Sequence, residues 1–465
     1  MVTEDRPAVL AALKLGQCDG LLPAACGFLD HFVDFLDQHG LLQQFEQFPD
    51  ARRRRSIGPE FFCTILLHKA LFRLDSLAEI GTVLFHSPDI LRRLGFNLRQ
   101  VHEGFYHGSA QRPFNPEALA DFFNGLSAQQ LCDHQLQLSA RLLQQFPVLA
   151  DAGVAVLDAN TTAVPAGHYG RRATQLKTCV LGLRGGGRLF PLLWDFTTRG
   201  PGEDGDLTQG KRLLATARAA WGHGAIHHLL VDRGFIDGQW LSELKADGID
   251  TVIGLRENMA LYQDMLGLCH LDDARWVKAP PPLLHEGPTP KRTLCPLTDL
   301  NTWTACTQPL QGLVIRDTYP DRVQYQCLVT TDLKLTPKQL HRYARDRWSI
   351  EESFMDLTRY WRLDQLGSCR PAVARAQIHF LFLAYTLLHL YALEADEQER
   401  TPTRRPRLLP GREITAYFGN HYAILLPSEL VSIILDHHEA WAGNREQLLA
   451  ALRFCEGGNT ARAPD

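Results

Sequence analysis

The chain has 465 residues, 45% of them hydrophobic and 22% charged, with 48 Lys and Arg against 52 Asp and Glu for a formal net charge of −4. That length accommodates roughly two to four globular domains, each with its own core. The balance excludes a global positive field, so any grip on nucleic acid must come from local basic patches.

The candidate patches are Arg52, Arg53, Arg54 and Arg55, then Arg92 with Arg93, Arg171 with Arg172, and the run from Arg400 to Arg412. Eleven cysteines, odd in number and never spaced CxxC, argue against a disulfide framework and a structural zinc site and fit a reducing cytoplasm. The acidic start after Met1, with Glu4 and Asp5, does not read as a secretory leader.

The first 150 residues read as helical. SLAE at Ser76 to Glu79 is a capping box, and Ser87-Pro88 and Asn115-Pro116 each open a helix. Apolar residues recur at helical spacing through FFCTILLHKALF and LQLSARLLQQF, and VHEGFYHGSAQRPF between them reads as loop. At Gly153 the pattern changes. GVAVLDANTTAV predicts a buried strand ending near Asp158, and TQLKTCVLGL, RGGG and RLFPLLWDF predict a β-hairpin turning around Gly185 to Gly187. The RGPGEDGD loop leads to a helix over LTQGKRLLATARAAW. A strand, IHHLLVD, ends at Asp232; the turn RGFIDG, a helix over QWLSELKADG and a strand, DTVIGL, follow.

From about Arg256 to Thr336, prolines and alternating runs predict a mainly β insertion. YARDRWSIEESFMDLTRYW, from Tyr343 to Trp361, has no Gly or Pro and predicts one helix. The run from Ile378 to Leu393 is short for a membrane span and carries His379 and His389, which predicts a buried helix and no membrane partner. An acidic then basic linker, EADEQERTPTRRPR, leads into a helical tail. The expected division is a helical region over 1–150, a core in two parts over 151–257 and 336–398, the β insertion over 258–335, and a basic linker with helical tail over 399–465.

Three strands in meander, a helix, then further strands and helices follow the order of a ribonuclease H-like fold, an α/β class with a mixed sheet flanked by helices. There the first and fourth strands lie side by side, which puts Asp158 and Asp232 at one edge of the sheet. The predicted helix supplies a third acid. Tyr343, Arg347 and Glu351 are four apart and share a face, continued by Phe354 and Thr358, with Trp348 and Ile350 packing beside it. Three clustered carboxylates repel one another and call for divalent cations. Oxygen-only ligands select Mg²⁺ or Mn²⁺, and two such ions activate water and stabilise a leaving oxygen in phosphoryl transfer.

Each residue alone has an ordinary alternative. Asp158 and Asp232 suit turns, and Arg347 with Glu351 suits an exposed pair contributing roughly 0.3–0.5 kcal/mol. Glu352 and Asp356 compete with Glu351 for the third acid, although Glu352 is turned about 100° away on the helix. Asn160, Thr161 and Thr162 can orient the first acid, and Arg233 can bind phosphate. Trp276 and Trp303 suit either a core or a base-stacking role. The histidines, His227 and His228 included, show no metal spacing and take no role.

These residues resemble the DDE insertion-sequence transposases whose third acid lies in a motif of Tyr, Arg, Glu and Lys. RWSIE matches that motif closely, VLDANTT looks like the first-acid strand, and VDRGFIDGQWLSELKADGIDTVIGLREN looks like the second-acid segment. Two departures stand out: three residues rather than two separate Tyr343 from Arg347, and Thr358 takes the lysine position with Arg359 beside it. The likeness covers roughly residues 150 to 395. It implies a Mg²⁺-dependent enzyme, with Mn²⁺ able to substitute, that cuts double-stranded DNA at an element's ends and joins the ends to a target. Several members do so through a hairpin intermediate. It also implies Asp158, Asp232 and Glu351 as metal ligands, DNA contacts from Tyr343, Arg347, Arg233, Arg359 and the Arg52 to Arg55 cluster, and a homodimer on DNA in the nucleoid-containing cytoplasm. A transposase-derived DNA-binding protein and a nuclease without strand joining are the alternatives.

Overall fold

The computed structural model describes residues 2–24, 27–52, 57–84, 88–94, 96, 116–150, 153–164, 174–198, 205–271, 274–280, 289–394 and 413–449. The chain forms two compact units. One takes in Met1–His134, Ala163–Thr174 and Asp356–Asp465, and the other Gln135–Thr162 and Gln175–Met355.

The first unit is built on the helix Pro371–Glu394. This helix is apolar all round, and 94% of its most apolar window is buried inside the protein. A helix without a polar face must be covered on every side; Pro59–Leu71, itself buried along most of its length, is one of its neighbours. It is the one helix among the described residues long and apolar enough to cross a membrane, and its burial gives it the core role expected of it. Phe380 is fully buried, its ring 5.6–5.9 Å from those of Phe45, Phe48 and Phe123. Phe380→Ala should therefore lower unfolding stability by about 3–5 kcal/mol, read as a shifted denaturation midpoint with unchanged slope.

Half of the expected capping box forms: Glu79 N–H donates to Ser76 Oγ at 3.2 Å, but Glu79 Oε2 accepts from the N–H of Asp75, one residue before Ser76, at 3.2 Å. The C-terminal tail adds structure that the sequence reading passed over. With strands numbered along the chain, β12 (Ile414–Phe418) and β13 (His421–Leu425) make a hairpin through Gly419, whose φ is 59°. β1 (Thr3–Glu4) and β2 (Gly20–Pro23) complete a four-stranded sheet in the order β1-β13-β12-β2, and helices follow the hairpin.

The second unit carries a nine-stranded sheet in the order β5-β4-β3-β6-β7-β11-β10-β9-β8. Its strands are β3 (Val154–Val164), β4 (Thr174–Gly185), β5 (Arg188–Thr198), β6 (His228–Val231), β7 (Asp250–Gly254), β8 (Val277–Ala279), β9 (Lys291–Leu300), β10 (Leu310–Thr318) and β11 (Val323–Thr330). The β4–β5 turn is Gly186-Gly187, with φ of 53° and 79°; both central residues of a tight hairpin turn need that left-handed conformation. The first and fourth strands of the core, β3 and β6, pair in parallel. β3 does not stop near Asp158 but runs on to Val164, because the β-branched run Thr161, Thr162 and Val164 sustains an extended chain. The β-rich segment is not a separate sheet: after the helix Ala260–Cys269, β11 pairs antiparallel with β7 and extends the same sheet.

Candidate active site

β3 and β6 are in register from Val154 opposite His228 to Leu157 opposite Val231. Asp158 is the next residue of β3 and Asp232 the first past the end of β6, so the strand pairing delivers both acids side by side. Asp158 Oδ1 accepts from Ala159 N–H at 2.7 Å. Asp232 caps the short turn Arg233–Phe235, its Oδ2 accepting from Gly234 N–H at 3.1 Å. The third acid comes from the helix Pro337–Arg359. Arg347 Nη1 lies 2.8 Å from Glu351 Oε1 and 3.3 Å from Asp232 Oδ1, an ionic bridge from the helix to the strand end. All three side chains are partly shielded from water, Arg347 most of all.

Asp158 carries the electrostatic strain of this arrangement. Burial is the largest cause pushing its carboxyl up to about 7; the Ala159 N–H pulls it down, Asp232 and Glu351 push it further up, and Arg347 opposes them. An all-oxygen donor set around one arginine, with a buried carboxyl whose charge is incompletely compensated, fits a hard divalent cation. The three acids do not draw into one tight knot, however. Among the described residues, the trio of potential ligands whose atoms all lie within 4.8 Å of one another is one histidine and two aspartates, His228, Asp250 and Asp332, at the opposite end of β6.

The other candidate residues fall in different places. Tyr343 is 9% exposed, with its ring 5.0 Å from that of His228. His228 precedes Asp232 by four strand residues, about 13 Å, so the structure brings Arg347 to the acids and takes Tyr343 to the other end of the strand. Arg233 and Arg359 are exposed, and Thr358 is partly buried. Arg52 binds Asp50 through both carboxylate oxygens and lies over the rings of Phe62 and Phe122. Arg53, Arg54 and Arg55, with Arg171, Arg172 and the 400–412 run, lie outside the described residues.

The expected patch at Arg92 and Arg93 is corrected: both are buried. Arg92 donates to Gly419 O at 2.7 Å, and Arg93 pairs with Asp89 at 3.2 Å, so their charge is spent inside the protein. Of the competing acids, Glu352 is exposed, and burial raises the Asp356 carboxyl against the pull of Arg359 and Arg73. Trp276 donates to Cys269 O at 3.2 Å and lies 4.0 Å under the Arg316 guanidinium, a packed position.

Two features escaped the sequence reading. Asp206, which opens the helix Asp206–Trp221, has a carboxylate that lies with that of Asp232 against Gly234 and pairs with Lys177. Its position in the GEDGD loop is the signal for it. Trp348, expected to pack, is 47% exposed, with the Arg347 guanidinium 5.2 Å from its ring.

A mixed sheet in this order, with acids at the adjacent ends of its first and fourth strands and a helix closing over them, defines a ribonuclease H-like fold. Residues 156–387 match the family described as Transposase DDE domain, and the chain belongs to that family. Comparison with curated proteins returns no match.

Proposed function

We propose that this protein cuts DNA at the ends of an insertion sequence and joins those ends to a target, with Asp158, Asp232 and Glu351 as the ligands of Mg²⁺ or Mn²⁺. The observation that carries the reading is the bridge from Arg347 to both Asp232 and Glu351, beside a strand pairing that sets Asp158 next to Asp232. The bound ions would supply an activated water or 3′-hydroxyl and stabilise the leaving oxygen. The chain's own residues do the positioning. Asp158 and Asp232 are held by their β-strands and by backbone N–H groups, and Arg347 orients Glu351. Exposed Arg233 and Arg359 flank this edge in sequence and are suited to backbone phosphates. Tyr343 reaches a phosphate only if DNA binding frees it from His228.

The enzyme acts as a dimer on DNA, the Arg52 to Arg55 cluster of one chain holding the end that the other cuts, with Arg52 anchored on Asp50 and Arg53 to Arg55 making the phosphate contacts. The test uses duplexes carrying the inverted repeats that flank the gene. Wild-type protein with Mg²⁺ should cut and join them. Cutting without joining leaves a nuclease, and binding without cutting leaves a DNA-binding descendant. Mixing a Glu351→Gln variant with one neutralised at Arg52 to Arg55 should restore part of the cleavage that each lacks alone; no restoration means each chain cuts the end it holds.

A further inference from the structure

At the end of β6 away from Asp232, three neighbouring strands deliver a second set of ligands. His228 and Asp250 open β6 and β7 and are paired in register, and Asp332 follows β11, which pairs with the other side of β7. Their ligand atoms lie within 4.8 Å of one another, and all three residues are partly buried. His228 Nε2 is 2.9 Å from Asp332 Oδ2.

The outer oxygens are already held. Asp250 Oδ1 accepts from Lys245 Nζ at 2.6 Å and Thr331 Oγ1 at 2.9 Å, and Asp332 Oδ1 accepts from Lys334 N–H at 2.9 Å. These donors orient both carboxylates as outer partners orient metal ligands, and Asp332 Oδ2, now 2.9 Å from His228 Nε2, would exchange that contact for the cation.

We propose that His228, Asp250 and Asp332 bind a Zn²⁺ ion, with water completing four-coordination. An imidazole among the donors favours zinc over magnesium. Zinc bonds of about 2.0–2.1 Å place tetrahedral ligand atoms roughly 3.3 Å apart, so the His228–Asp332 contact need open by only a few tenths of an ångström. The donors include no sulfur, which is why cysteine spacing gives no sign of the site. Asp332 precedes Pro337, where the helix bearing Arg347 and Glu351 begins, and the ring of Tyr343 of that helix packs 5.0 Å from that of His228, tilted by 48°. The ion ties β6, β7 and the entry to that helix together.

The proposal does not depend on the transposase reading. Its test is a Zn²⁺ titration of the full chain against a chromophoric chelator, in an Asp158→Asn, Glu351→Gln background that removes those acids as zinc ligands. One equivalent should bind, and Zn²⁺ should raise the melting temperature where equal Mg²⁺ does not. His228→Gln should weaken that equivalent by about 100-fold or more and abolish the shift. Asp332→Asn, closer in shape, carries the same comparison if His228→Gln does not fold. Equal zinc binding with and without these ligands, or no zinc-dependent shift, overturns the site and leaves a polar latch of His228 on Asp332 and Lys245 on Asp250.

Discussion

Asp232→Asn and Glu351→Gln are each expected to slow metal-dependent DNA cleavage by about three to four orders of magnitude, because a metal centre supplies several kcal/mol to phosphoryl transfer. DNA affinity should change little, since it rests on phosphate contacts elsewhere. Asp158→Asn should abolish cleavage too, with a signature the other two lack. The folded Asp158 carboxyl is raised to about 7, above its ordinary value in the unfolded chain. Between those values the unfolded chain gives up the proton first, so Asp158 costs stability increasingly as pH rises from about 4 to about 7, with the full cost above 7. In chelator at pH 8, Asp158→Asn should therefore melt above wild type. At pH 4 the difference should vanish, and Mg²⁺ should close it at pH 8 by stabilising the wild type. If Asp158→Asn melts below wild type at pH 8 in chelator, burial of that charge is not the dominant cost. If Glu351→Gln cuts at the wild-type rate, the third acid is elsewhere, and exposed Glu352 is the next candidate.

The neighbourhood of the acids is legible in the sequence because each strand announces itself: VAVLD and LLVD are apolar runs ending on a carboxylate, and parallel pairing of those runs leaves the acids little freedom. The register of Arg347 with Glu351 follows from helical spacing alone. The fate of Tyr343 does not. A four-residue ladder states which side chains share a face, but Tyr343 and Glu351 stand eight residues apart, about 12 Å along the axis. Only the tertiary placement decides which rung meets Asp232 and which meets His228. Arg92 and Arg93 mislead for a related reason. Counting charges identifies cations and not their partners: Asp89 lies one helical turn from Arg93, but Gly419 O and the rings of Tyr417 and Tyr422, which also draw these two inward, come from more than 300 residues away. The C-terminal hairpin is readable in retrospect from ITAYF and HYAIL around Gly419-Asn420. Its pairing with Gly20–Pro23 is a long-range contact that no local pattern reports.

Gly210→Ala should damage both folding and catalysis, although a glycine inside a helix ordinarily gains up to about 1 kcal/mol on becoming alanine. Gly210 is buried in the helix Asp206–Trp221, where an added Cβ would stand 2.7 Å from Phe235 Cε1 and 2.9 Å from Leu157 Cδ2. Contacts under 3 Å force a shift, and neither neighbour is free to give way. Leu157 is the residue before Asp158 and is fully buried in the paired part of β3. Phe235 closes the turn that Asp232 caps and is likewise buried. One methyl group therefore pushes on the supports of both aspartates. Overpacking of this kind costs about 1–3 kcal/mol, and displacing reacting groups by even 1 Å can cost about 100-fold in rate. Gly267 is the control: it lies in the helix Ala260–Cys269, and an added Cβ there meets nothing within 4 Å. Gly267→Ala should raise the melting temperature slightly and leave cleavage unchanged. Should Gly210→Ala behave like Gly267→Ala in both assays, the helix does not brace the two acids, and their positions depend on strand pairing alone.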